Sequence, residues 1–102
     1  MFEVDNEILE LRFNMQKVKS LEMMHKISLM SELSNSRGML SIVLLEGLFS
    51  VGLFNTNTET SVKGKKAEEI FLKILEEEGF TNLNAVIIGK LQEDMGFLFL
   101  TN

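Results

Sequence analysis

The sequence predicts a mainly α fold of about four helices preceded by a short N-terminal β-hairpin, forming a single domain over residues 1–102. Three observations carry that prediction. Apolar residues recur at three- and four-residue intervals through most of the chain. No proline interrupts any of these periodic stretches. The alternation of apolar and polar residues that marks strands is confined to the first thirteen positions. A chain of 102 residues suits one core, and 45% hydrophobic with 25% charged residues is the balance of a folded protein, not a disordered one.

Residues 2–13 read as the hairpin: Phe2-Glu3-Val4, a turn at Asp5-Asn6, then Ile8, Leu9, Leu11 and Phe13. Asp and Asn accept the positive φ of a tight primed turn. From Met15 the period becomes helical, with Val18, Leu21, Met24 and Ile27 on one side, and predicts a helix over about 14–27. Ser28–Met39 is richer in Ser, Asn and Gly, with room for a short turn at Leu29–Leu33; Asn35 or Ser36 then offers an N-cap for a second helix over about 36–53.

That second helix carries Met39, Leu40, Ile42, Val43, Leu44, Leu45, Leu48, Phe49 and Val51, so apolar groups surround nearly its whole circumference. Such a helix must be covered on most sides. A chain this short has few elements to do the covering, which points to self-association as a homo-oligomer. The polar run at 55–63 reads as a loop. A third helix follows over about 65–78, with Ala67, Ile70, Phe71, Ile74 and Leu75 at i, i+3, i+4, i+7 and i+8, a Glu69–Lys73 pair at i,i+4, and Gly79-Phe80 as its stop. Asn82 caps a fourth, over about 83–95, before the apolar tail Phe97-Leu98-Phe99-Leu100.

Charge and cysteine usage narrow the function. Fifteen acidic residues against ten Lys and Arg give a net charge of −5, which repels a polyphosphate and disfavours nucleic acid as a partner. The lack of cysteine removes disulfides and thiolate metal sites and suits a reducing compartment. The start Met1-Phe2-Glu3-Val4-Asp5 has no basic segment leading into an apolar run, so no secretory signal is expected. Gly38–Phe54 is too short to span a bilayer, and Glu46 near its middle would cost about 3 kcal/mol there, so no membrane role is expected either.

The residues that carry chemistry elsewhere do not assemble into a motif. His25 is the only histidine, and Glu22 is the one carboxylate within reach along its helix. Gly64-Lys65 resembles the end of a phosphate-binding loop, but Glu59 and Lys66 occupy positions where that motif needs glycine and a hydroxyl. Lys63, Lys65 and Lys66 read as a solvated helix start. Glu76-Glu77-Glu78 point about 100° apart on a helix and cannot converge on one ion. No catalytic residue, cofactor or metal is expected. The adaptable surface left to bind a partner is placed at Met23, Met30, Met39, Val43 and Leu48.

The order of elements resembles a tail assembly chaperone of long-tailed (siphovirus-type) bacteriophages or prophages of Gram-positive hosts. The resemblance rests on the hairpin Phe2–Phe13 leading into Phe13-Asn14-Met15-Gln16-Lys17-Val18-Lys19-Ser20-Leu21-Glu22, similar to that family's helix opening, then the apolar helix Met39–Leu53, a polar loop, and a last helical pair ending in Glu93-Asp94-Met95-Gly96-Phe97-Leu98. The loop is rich in Asn and Thr where the family is often rich in Asp and Glu. The resemblance implies a protein that coats the tape measure protein, recruits tail tube protein, works in the bacterial cytoplasm and is absent from the finished virion. It also implies a longer, frameshifted companion sharing this N-terminus. The rival reading is a small acidic inhibitor or immunity-type protein, which would concentrate its charge on one face; here the acids run from Glu3 to Asp94.

Overall fold

The structure is a computed structural model and describes residues 2–100. It is mainly helical, at 64%, with five α-helices and not four. In chain order the elements are β1 (Phe2–Val4), β2 (Glu7–Leu11), α1 (Met15–His25), α2 (Leu29–Asn35), α3 (Ile42–Gly52), β3 (Leu53–Asn55), β4 (Thr60–Ser61), α4 (Gly64–Glu78), α5 (Phe80–Asp94) and a closing 3-10 turn, Gly96–Phe99.

The hairpin forms as expected. Asp5 and Asn6 both take positive φ, 51° and 66°, and bring Val4 opposite Glu7 and Phe2 opposite Leu9. Two strands become four, however, in the antiparallel order β1-β2-β3-β4. The extra strands arise where the predicted second helix gives way to the predicted loop 55–63, and within that loop: β3 pairs Leu53 with Leu11 and Asn55 with Leu9, and β4 returns alongside β3. The polar side chains finish that sheet themselves. Thr56 donates through both its N–H and its hydroxyl to the Ile8 carbonyl, at 3.0 and 2.7 Å, while the Ile8 N–H donates to Asn57 Oδ1 at 2.9 Å. A run without apolar periodicity hides a strand when side chains, not a buried face, supply its partners.

The helices also differ from their sequence bounds in instructive ways. α1 is capped by Asn14, whose Oδ1 accepts from the Lys17 N–H, and stops at Lys26 in the left-handed conformation. The short turn at Leu29–Leu33 is a full helix, α2, capped by Ser28. The Leu29 N–H at its first turn donates to Glu22 Oε2 at 2.7 Å. α3 begins six residues later than 36, and its cap is Ser41, not Asn35 or Ser36. Leu40, apolar and in phase with the helix, is instead buried in the non-helical segment ahead of it. α4 ends at Gly79 with φ 82°, whose N–H bonds to the Leu75 carbonyl, and Phe80 turns back onto the core as expected. α5 then starts directly at Phe80, so Asn82 lies within it and does not cap it. Lys73 meets Asp5 across to the hairpin turn, at 3.9 Å, in place of Glu69.

One contiguous core unites these layers, with α3 at its centre. Phe49 lies 5.4 Å from Phe71 of α4, edge to face, and 5.6 Å from Phe2 of β1, so one ring ties helix and sheet together. Two glycines let α3 sit this close to its neighbours. A Cβ at Gly47 would stand 2.7 Å from Leu21 Cδ1 and 2.8 Å from His25 Nε2, and one at Gly52 would stand 2.7 Å from the Phe13 ring.

Candidate functional site

The surface expected from sequence separates into three parts. Met23, Met39 and Val43 are exposed, at 79%, 43% and 65%. Met30 is half-buried, packed on the core beside a shallow groove formed with Leu33, Ile88 and the closing turn. Leu48 is fully buried and is corrected from surface to core. The reason is the inner face of α3: Leu44, Leu45, Leu48, Phe49 and Gly52 turn toward α1, α4 and the sheet, while Ile42 and Val43 face out. The helix that looked apolar all round is thus covered by its own chain over most of its length. Only its first turn presents apolar groups to solvent. Met24 and Ile42, exposed at 70% and 57%, belong with the exposed set and were not singled out in the sequence.

The candidate chemical residues stay apart. His25 packs over Gly47 at the α1–α3 contact, and Glu22 turns away to the start of α2. Among the described residues, no group of three or more His, Cys, Asp or Glu could hold a metal ion. Glu76, Glu77 and Glu78 are all solvent-exposed. No helix of the described residues is long and apolar enough to cross a membrane.

What sequence reading missed is a cleft with mixed polar and apolar walls. It lies between the length of α1, the end of α3 and the start of α4, where Asn14, Lys17, Ser20 and Met24 line one wall and Ser50, Val51, Ser61, Lys63 and Gly64 the other. Asn14, Lys17 and Ser20 recur at three-residue spacing, which places them along one side of a helix; that stripe was the available signal. The facing wall comes from residues far along the chain, beginning at Ser50, and no local pattern reports it.

Two lysines near this region have displaced pKa values. Partial burial, then the neighbouring Arg12 and Lys63 cations, hold Lys17 below the ordinary lysine value, against the opposing pull of Asp94. Its ammonium donates to the Arg12 carbonyl at 2.9 Å. Lys90 moves the other way: burial pulls it down, but the hydrogen bond and charge of Asp94, with help from Glu93, outweigh that and raise it. Asp94 in turn accepts from the Phe13 N–H through Oδ2, at 2.9 Å, and sits 3.2 Å from Lys90 Nζ through Oδ1.

No protein-family model matches the chain, and no curated protein or solved structure matches it either.

Proposed function

We propose that the chain acts by binding other protein chains, as a tail assembly chaperone that coats a phage tape measure protein and assists tail tube assembly. The observation that carries the reading is the number of apolar side chains left exposed on α1 and around the first turn of α3: Met23, Met24, Met39, Ile42 and Val43. Flexible methionines and branched aliphatics left exposed suit a surface that accepts a long apolar helix without demanding one sequence. The succession of hairpin, helices and closing helical pair supports the same reading through its resemblance to that family. In this proposal the protein works as a homo-oligomer in the host cytoplasm and is absent from the mature virion.

The first test is mass spectrometry of all products expressed from the native gene with its downstream DNA. A second, longer product sharing this N-terminus is expected. The companion test co-expresses the chain with the tape measure protein of the same genome, which should become soluble and co-purify; Val43→Lys with Met23→Lys should abolish this while leaving the helical circular dichroism unchanged. A single product together with no effect on tape measure solubility would overturn the reading and leave the acidic inhibitor class as the better account.

A further inference from the structure

We propose that the cleft between α1, α3 and α4 binds the phosphate group of a small phosphomonoester, with Lys17 and Lys63 as its cationic ligands. This site does not depend on the chaperone reading. The chain carries five more acidic than basic residues, yet both charged side chains lining the cleft are cations and no carboxylate lines it. The remaining polar lining is made of amide and hydroxyl groups, among them Ser20, Ser50 and Ser61, which donate readily to phosphate oxygens.

Lys17 has capacity for such a ligand. One of its three ammonium hydrogens goes to the Arg12 carbonyl, which fixes the side chain and leaves two for another acceptor. Burial first, then Arg12 and more weakly Lys63, hold its pKa down while Asp94 opposes them; within the cleft itself Lys17 and Lys63 face no carboxylate. The nearest counter-charge, Asp94, is already engaged by the Phe13 N–H and Lys90. An anion between Lys17 and Lys63 would supply what is missing. Gly64 lines the rim and opens α4, whose first turn no side chain caps, so the positive end of that helix adds to the same field.

The cleft, at about 490 Å³, is larger than one phosphate, and Met24 and Val51 give it an apolar stretch of wall. Those two features favour a phosphate carrying a small organic group over the free ion. A dianion also matches two lysines better than a single carboxylate does.

The test is NMR titration of the full chain with inorganic phosphate and with phenyl phosphate, at ionic strength held constant with chloride. Phenyl phosphate should give saturable shifts at the Lys17 and Lys63 side chains and the Gly64 amide. Lys17→Gln and Lys63→Gln should each weaken binding about tenfold, while Lys73→Gln, on the outer face of α4, leaves it unchanged. Lys63 is exposed, so its variant reads binding even if the Lys17 variant fails to fold. Equal binding of the two probes would assign the site to phosphate alone, and tighter phenyl phosphate binding to an ester. Shifts that track ionic strength, or binding indifferent to Lys63→Gln, would overturn the proposal.

Discussion

Two buried asparagines organise two loops in different ways. Asn55 divides its work: its Oδ1 closes the local turn by accepting from the Asn57 and Thr58 N–H groups, at 2.8 and 3.2 Å, while its Nδ2 reaches the Glu7 side chain, donating to Oε2 at 2.6 Å. Asn84 works at a distance. From the second turn of α5 it donates to the Gly38 carbonyl at 2.6 Å and accepts from the Leu40 N–H at 3.2 Å, pinning the segment that leads into α3. Both amides thus join distant parts of the chain, but Asn55 shares itself between its own turn and a distant side chain, whereas Asn84 bonds the backbone of one distant segment at both ends of its amide. The difference lies in what replaces it. The Asn55 partners lie beside exposed loop residues, where water can substitute, whereas the Leu40 N–H is buried.

That contrast sets an order of expected effects. Asn84→Ala should be the most damaging, by about 3 kcal/mol, because it strands a buried donor and a part-buried acceptor together. Urea denaturation followed by far-ultraviolet circular dichroism measures it; a loss no larger than that of Asn55→Ala would break the comparison. Asp94→Ala comes next, at about 2 kcal/mol, since it removes a charged acceptor for the Phe13 N–H 81 positions away as well as the partner of Lys90. Asn55→Ala should cost about 1 kcal/mol, and hydrogen exchange should show the loosening confined to Ile8, Thr56 and their neighbours while α3 stays protected.

The smallest effect is alkaline. Lys90 has a folded pKa above its unfolded value near 10.5, so its contribution is complete below that value and disappears as pH rises through the folded one. Lys17 has the opposite sign: its lowered pKa opposes folding while it is charged, and that opposition lifts as pH climbs toward 10.5. Lys90→Gln should therefore remove part of the stability loss seen on approaching and passing pH 10.5, and Lys17→Gln should deepen the net loss by removing the compensating rise. Denaturation midpoints recorded across that range separate the two.

The local half of this architecture was readable in the residues. Asp5-Asn6 announces its turn because both side chains tolerate positive φ, and α4 announces itself because one stripe from Ala67 to Leu75 meets one core. The long-range half was not. Periodicity ran α3 back through Met39 and Leu40, because Leu40 is buried just as a helical residue would be; its N–H is instead taken by Asn84, 44 positions on. Leu48 looked equivalent to Val43 because a helix apolar on all sides has no face of its own until its neighbours are placed. The cleft escaped for the same reason, its two walls being local only to themselves.

The sheet has a consequence for the order of folding. β1 and β2 adjoin in sequence and can zip within about 1–10 μs, as hairpins do. β2 and β3 are separated by about 40 residues, and α1, α2 and α3 occupy that interval. Closing so long a loop before its contents condense loses entropy with little return. The middle rung of the sheet therefore registers only once α1 has settled on α3, and completion of the sheet and docking of these helices form one kinetic event. A lesion in the 36–41 segment, far from any strand, should accordingly slow the appearance of strand protection as much as that of helix.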